Sequence, residues 1–97
     1  MRKYYIGHRK ERSTYDLWEA LQIAVGMLDK DKPYTRVPIY AHEYLGFDEP
    51  RYVYVLPDKE DGKNKFVYFP RVPGKGYSLG VDYRPMEARC NTPWVIR

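Results

Sequence analysis

Cysteine and histidine are nearly missing from this chain. Cys90 is the only cysteine, so no disulfide can form within the 97 residues, and the two histidines, His8 and His42, lie far apart in the sequence. A zinc site draws much of its tetrahedral ligand set from these two residue types. The sequence therefore predicts neither a disulfide framework nor a metal site, and we expect no cofactor.

Long hydrophobic runs are missing as well. No stretch of about 20 apolar residues is available to cross a bilayer. No apolar segment follows the charged N-terminus, residues 1–8, as a signal peptide would require. Because the length matches one domain, we expect a single soluble domain over residues 1–97 that stays in the cytoplasm.

Tyrosine and basic residues are in excess. Eleven of the 97 residues are tyrosine, which favours strands and binding surfaces. The formal net charge is +4 and the pI about 9.2, and part of the basic excess lies near the N-terminus. A basic surface attracts nucleic acids, nucleotides or acidic proteins, although the same charge is also typical of a plain soluble surface.

An apolar stripe at helical spacing predicts one helix over residues 14–28, with its members at Leu17, Trp18, Leu21, Ala24, Val25 and Leu28. Ser13 and Asp16 resemble a capping box, and Pro33 blocks any continuation. We expect Trp18 and Leu21 to anchor the helix in the core.

Strand-like segments follow the helix. Residues 34–40 form a candidate strand that Pro38 interrupts, which indicates a sheet edge or a bulge. Residues 51–70 are typical of an antiparallel hairpin around an Asp-Gly turn. Later strands are predicted at 77–84 and 93–96. The fold class is therefore α+β, with one N-terminal amphipathic helix packed on a small antiparallel β-sheet.

Both faces of the predicted hairpin are apolar or aromatic. Tyr52, Tyr54 and Leu56 share one side of the first strand, and Val53 and Val55 share the other. A half-exposed sheet would alternate polar and apolar residues. The helix accounts for one face, and the second is covered by another subunit, binds a ligand, or is a tyrosine face open to water. We expect a homo-oligomer.

Residues for catalysis do not form a recognisable motif. His42 and Glu43 are adjacent, and adjacent strand residues point to opposite faces. The Pro-Gly-Lys-Gly loop at 73–76 lacks the spacing of a nucleotide-binding Walker loop, so it is a turn or a simple phosphate contact. We therefore expect no enzyme. Basic and aromatic residues interleave at 2–5 and 63–68, which makes nucleic-acid binding one functional hypothesis.

Two late motifs resemble a known family. Residues 82–85 read Asp-Tyr-Arg-Pro, and residues 93–95 read Pro-Trp-Val after a short polar run. Residues 18–21 add Trp-Glu-Ala-Leu in the helix, and residues 51–57 add a basic and aromatic strand. This order is similar to that of the phage Thoeris anti-defence type 2 proteins, which sequester a nucleotide immune signal rather than cut it. The chain departs from the family at residues 34–38, where the family has an Arg-Lys-Gly-Trp-Asn signature.

The resemblance implies a viral, non-catalytic protein of the host-cell cytoplasm that forms homo-oligomers with nucleotide pockets between subunits. It implies that Tyr83 or Trp94 stacks on a base and that Arg84 or Arg36 neutralises phosphates. Asp82 would orient Arg84 or accept a ribose hydroxyl. Two other hypotheses stay open: a small basic nucleic-acid-binding protein, and a viral inhibitor that docks on a host defence protein such as a CRISPR effector.

Overall fold

The computed structural model of the chain describes residues 2–41, 50–70, 84–85 and 93–96. Within them, one helix packs on one sheet, which confirms the predicted α+β class. None of the helical structure in these ranges is long and apolar enough to cross a bilayer. The elements are β1 (Tyr4–Ile6), β2 (Arg12–Thr14), α1 (Leu17–Gly26), β3 (Arg36–Ala41), β4 (Arg51–Pro57), β5 (Asn64–Tyr68), β6 (Arg84–Pro85) and β7 (Trp94–Ile96).

The described strands form a seven-stranded sheet in the order β2-β1-β3-β4-β5-β7-β6. Neighbouring strands are antiparallel except for the short β6–β7 pair, which is parallel. The hairpin predicted over residues 51–70 is present as β4 and β5. Its turn is closed by two backbone hydrogen bonds: the N–H of Asp58 donates to the Lys63 carbonyl at 2.9 Å, and the N–H of Gly62 donates to the Asp58 carbonyl at 2.9 Å. Gly62 takes the left-handed conformation at φ +70°. The terminal strand predicted at 93–96 is present as β7.

Two N-terminal strands were not predicted. β1 and β2 pair as a hairpin in which Tyr4 lies opposite Thr14 and Tyr5 lies opposite Ser13. These pairings hold residues 13 and 14 in an extended backbone, so the helix cannot begin there. The predicted start at residue 14 is therefore wrong.

Helix α1 begins instead at Leu17 and takes Asp16 as its N-cap. The Asp16 carboxylate accepts a hydrogen bond from the backbone N–H of Glu19 at 3.1 Å, which satisfies one of the free donors of the first turn. The capping box predicted at Ser13 is wrong because Ser13 belongs to a strand. At the other end the helix stops at Gly26, before the predicted end at residue 28.

The buried face of α1 is narrow and made of small residues. Ala20, Leu21 and Ala24 are fully buried, and they pack on sheet residues that face the helix: Ile6, Val37, Ile39, Val53, Tyr68 and Ile96. Trp18 is 51% exposed, so the prediction that it anchors the helix is wrong. Trp18 lies roughly 100° around the helix from the centre of the buried arc.

Pro38 lies in an internal strand, between β1 and β4, so the predicted sheet edge is wrong. Its carbonyl accepts a hydrogen bond from the backbone N–H of Gly7 at 3.0 Å. The N–H that proline lacks would point toward the same neighbouring strand, where β1 ends. The Gly7 carbonyl instead accepts from the N–H of Lys10 at 3.0 Å. The N–H that Pro38 lacks therefore leaves no acceptor unpaired, because the chain turns away from β3 at Gly7 and the Gly7 carbonyl is already used within that turn.

The second face of the hairpin is buried within the single chain. Tyr54, Leu56, Val67 and Phe69 form a core cluster on the side away from α1, and each is less than a tenth exposed. The two-sided apolar pattern is thus accounted for inside one subunit. Homo-oligomerisation stays a prediction, but this pattern no longer requires it.

Leu21→Ala should lower the free energy of unfolding by about 2–5 kcal/mol, because it removes a fully buried side chain and leaves a cavity. Gln22→Ala is the matched control, since Gln22 is exposed on the same helix, and it should change stability by about 0.5 kcal/mol or less. Urea denaturation of both variants measures the difference. Equal midpoints would show that the Leu21 face of the helix is not core.

Gly7→Ala should cost at least about 1 kcal/mol more than Gly62→Ala. Both glycines have positive φ, but at φ +106° a Cβ on Gly7 would fall on the carboxylate of Glu11, whereas Gly62 faces open space. Urea denaturation again supplies the measurement. A larger loss of stability for Gly62→Ala would show that Gly7 does not take a positive φ in the turn between β1 and β2.

Candidate functional site

Helix α1 leaves part of its side of the sheet uncovered. Beside Leu17, the first residue of the helix, a cavity of about 200 Å³ opens between the helix and the sheet. The described residues that give it chemical character are two arginines and three aromatic residues: Arg2, Arg51, Tyr4, Tyr68 and Trp94. Leu17, Ile39, Ala41 and Pro70 complete the described lining.

Strand register explains why these residues meet. Tyr4 of β1 lies opposite Ala41 of β3, and Tyr68 of β5 lies opposite Trp94 of β7. Arg51 begins β4 and lies opposite Ile39. All of them occupy positions that point to the helix side, because side chains alternate between faces along a strand. The floor of the cavity is therefore drawn from five strands.

The Tyr68 and Trp94 rings form a cross-strand pair. Their centroids are 5.6 Å apart and the ring planes meet at 63°, an edge-to-face geometry. The indole N–H of Trp94 is closed off from solvent and has no hydrogen-bond partner in the described part of the chain. A molecule in the cavity would therefore meet the Trp94 ring rather than its N–H.

Two arginines give the cavity its charge. Arg2 precedes β1 and is exposed, and Arg51 at the start of β4 is half-buried. A guanidinium keeps its charge at any physiological pH and presents donors in a planar fork that matches phosphate oxygens. A cavity with this lining is suited to a planar group that carries negative charge.

The structure brings together only part of the predicted site. Trp94 lines the cavity, and the backbone of Arg84 lies beside it in the β6–β7 pair. Tyr83 and Asp82, with most of the strand predicted at 77–84, lie outside the described residues, as does the loop at 73–76.

Arg36 is not part of this cavity. It lies on the face of β3 away from the helix, because its neighbour Val37 faces the helix core. Its guanidinium sits 4.1 Å from the centroid of the Tyr52 ring and donates a hydrogen bond to the Tyr54 hydroxyl at 3.2 Å. That hydrogen bond raises the pKa of Arg36 above its ordinary value. The structure therefore does not support a shared site for Arg36 and Trp94.

Sequence reasoning missed Arg2, Tyr4, Arg51 and Tyr68 as members of one site. They come from three separate parts of the chain, residues 2–4, 51 and 68, and only the strand order joins them. The available signal was alternation: Tyr4 lies two residues before Ile6 in β1, and Arg51 lies two residues before Val53 in β4, so each pair shares one face of the sheet. That signal needs the N-terminal strand to be recognised first.

Comparisons with protein-family models, with curated proteins and with solved structures found no match for this chain. Within the described ranges, no group of three or more His, Cys, Asp or Glu residues is placed to hold a metal ion.

Arg36→Lys should lower the free energy of unfolding by about 0.5–1 kcal/mol, because a lysine loses the flat stacking on Tyr52. Lys59→Arg, in the exposed β4–β5 turn, is the matched control and should be close to neutral. Thermal or urea denaturation measures both. An unchanged midpoint for Arg36→Lys would show that the stacked geometry adds nothing to stability.

Proposed function

We propose that this chain binds a small, phosphate-bearing nucleotide in the cavity beside Leu17 and holds it without turnover. The observation that carries the proposal is the lining of that cavity. Three aromatic side chains from three different strands, Tyr4, Tyr68 and Trp94, share it with Arg2 and Arg51.

The aromatic residues supply the surface for a base. Every nucleobase has a flat π face, and stacking on a protein aromatic side chain contributes about 1–3 kcal/mol per base. The Trp94 ring is held by its edge-to-face contact with Tyr68, so little rotamer freedom is left to lose when a base arrives. A held ring is a better stacking surface than a mobile one.

The arginines supply the contact for phosphate. A guanidinium pairs with phosphate oxygens through two parallel hydrogen bonds, which are charge-assisted and stronger than neutral ones. Arg51 is half-buried, so its interaction with an anion is screened less by water than that of a fully exposed cation. A nucleotide that carries a phosphate should therefore bind more tightly than the same nucleoside without one.

The volume limits the ligand. About 200 Å³ is below the roughly 300–1,000 Å³ typical of sites that enclose a drug-sized molecule. The cavity therefore suits one base or one sugar-phosphate group, with the rest of the nucleotide outside. A mononucleotide or a compact cyclic nucleotide fits this limit better than a long polymer enclosed whole.

Sequestration is the part of the proposal that rests on sequence. The Asp-Tyr-Arg-Pro and Pro-Trp-Val motifs resemble those of viral anti-defence proteins that bind a nucleotide immune signal and do not cleave it. The cavity lining supports this reading in one respect: Trp94 of the second motif lies in it, beside the backbone of Arg84 from the first. On this proposal, the protein acts by lowering the free concentration of its ligand.

Tryptophan fluorescence tests the proposal directly. The chain has two tryptophans, and Trp18 is half-exposed on the helix while Trp94 lines the cavity. Trp18→Phe leaves Trp94 as the sole tryptophan reporter. Titration of this variant with AMP, ADP-ribose and cyclic ADP-ribose isomers should change the Trp94 emission saturably for at least one of them.

The phosphate contact is tested by comparing AMP with adenosine in two further variants, each made in the Trp18→Phe protein. Arg51→Gln should weaken binding of AMP by about 10-fold or more, as expected for a charge-assisted hydrogen bond, and should leave the weaker binding of adenosine unchanged. Lys59→Gln removes the same charge at the far end of β4 and should change neither affinity. Circular dichroism confirms that each variant is folded.

Three results would overturn the proposal. Trp94 emission unchanged by every ligand would remove the cavity as a nucleotide site. Equal loss of AMP and adenosine binding in Arg51→Gln would reduce Arg51 to a structural role. Conversion of the ligand during incubation, detected by mass spectrometry, would replace sequestration by catalysis.

A further inference from the structure

A second group of basic and aromatic side chains lies on the face of the sheet away from the helix. Lys3 Nζ sits 5.3 Å from the Tyr5 ring centroid and 5.6 Å from that of Tyr15. Lys10 Nζ sits 5.9 Å from the Tyr5 ring and 4.7 Å from the Tyr40 ring. Rings and ammonium groups therefore alternate in the order Tyr15, Lys3, Tyr5, Lys10, Tyr40, which we call the tyrosine–lysine row.

The sheet register and one turn build the row. Tyr5 and Tyr40 are directly opposite in the β1–β3 pair, so their side chains lie on one face of the sheet. The turn after β1 is closed by a hydrogen bond that the backbone N–H of Lys10 donates to the Gly7 carbonyl. Lys10 itself takes the left-handed conformation at φ 55°. This turn brings the Lys10 side chain back over the two rings.

The charge of the chain is concentrated in the same segment. Residues 2–12 contain five of the 17 basic residues and one of the 13 acidic residues, so they carry the whole net charge of +4 while the rest of the chain is balanced. The one carboxylate, Glu11, accepts the backbone N–H of Arg9 at 2.8 Å. Backbone hydrogen bonds lower its pKa, so it is ionised at neutral pH and reduces the local positive charge by one.

We propose that the tyrosine–lysine row binds single-stranded nucleic acid. Bases would stack on the rings of Tyr15, Tyr5 and Tyr40, and phosphates would contact the ammonium groups of Lys3 and Lys10. An ammonium group has three donors on a flexible four-carbon stem, so each lysine can move off the ring that it covers when a base stacks there and donate to the adjoining phosphate. Single strands are selected because their base faces are accessible, whereas those of a duplex are stacked on each other.

The row is separate from the cavity, so the inference does not depend on the proposed function. Arg2 lines the cavity on the helix side, and the next residue, Lys3, lies over rings on the other side. In the same way, Tyr4 lines the cavity and Tyr5 belongs to the tyrosine–lysine row. Variants on one face therefore report on that face alone.

Salt-dependent binding tests the phosphate contacts. A labelled oligothymidylate of about 12 nucleotides lies within the site sizes of such surfaces, and its binding is measured by fluorescence anisotropy at several salt concentrations. The double variant Lys3→Gln, Lys10→Gln should reduce the slope of log K against log salt by roughly 1.4, which corresponds to two lost phosphate contacts. The charge-matched control, Lys59→Gln with Lys63→Gln in the β4–β5 turn, should leave the slope close to its original value.

Tyr15→Leu tests stacking without risk to the fold. Tyr15 is 58% exposed and lies outside the strands, so the leucine keeps an apolar side chain and removes the aromatic face together with its hydroxyl. The dissociation constant for the oligothymidylate should rise by about 5- to 100-fold. Tyr34→Leu is the matched control because Tyr34 is similarly exposed, at 61%, but is not part of the row.

The proposal is overturned by either of two results. Equal affinity for the oligothymidylate, a duplex of the same length and polyglutamate would show general attraction to anions. An unchanged dissociation constant in both Tyr15→Leu and the Lys3, Lys10 double variant would show that the row only stabilises the fold. Arg51→Gln should not alter this binding, so failure here and failure of the nucleotide cavity can be told apart.

Discussion

The alternation of side chains along the sheet is the constraint on which the rest of this structure depends. Successive residues of a strand point to opposite faces, and here both faces are used. In β4, Val53 packs against the helix while Tyr54 packs in the second cluster. A shift of one residue in the pairing register would turn the residues that face the helix to the opposite face of the sheet, and the residues of the second cluster to the helix side. The cavity and the tyrosine–lysine row are separated by this same alternation, which sends Tyr4 to one and Tyr5 to the other.

The cavity lies where helix α1 does not cover its side of the sheet. The ten residues of α1 give a helix about 15 Å long, whereas seven strands at about 4.8 Å spacing extend over nearly twice that distance. Ala20 and Ala24 let the helix approach the sheet closely, and the part of the sheet beneath the helix is covered by it. Beyond Leu17, none of the described residues forms a helix above the sheet face. Residues there need not be small and apolar, and the chain places arginines and aromatic rings in these positions.

Local patterns in the sequence were enough to predict the elements that are long or marked by a strong turn signal. The hairpin of β4 and β5 combines two strands with an Asp-Gly turn, and the helix core at Leu21 and Ala24 follows the expected spacing. Strands of three residues, such as β1 and β2, are too short to show a period. Their pairing with each other moves the N-cap of the helix from Ser13, as predicted, to Asp16. Pro38 was placed at an edge or a bulge because sequence cannot show that its neighbour β1 ends opposite it.

The candidate site was less predictable because its members are brought together by strand order, not by a local motif. Arg36 and Trp94 both looked suitable from their neighbours in sequence, yet they lie on opposite faces. The same limitation hid Arg2 and Arg51, which lie far apart in the sequence and line one cavity. A parity rule applied to each strand would have separated Arg36 from Trp94, but the choice of which strands adjoin comes only from the fold.

Trp94 connects the sequence argument with the structural one, and its buried N–H indicates why it is there. A buried donor without a partner costs about 1–3 kcal/mol, and the indole N–H has none in the described part of the chain. A phenylalanine at this position would avoid the cost and still pack on Tyr68. What the indole adds is a larger ring with a stronger attraction for cations and for flat π systems. Residues that break a local rule of stability are expected mainly at functional sites. Among the described residues, Trp94 has such an unpaired donor, and it lies at the wall of the cavity that Arg2 and Arg51 also line.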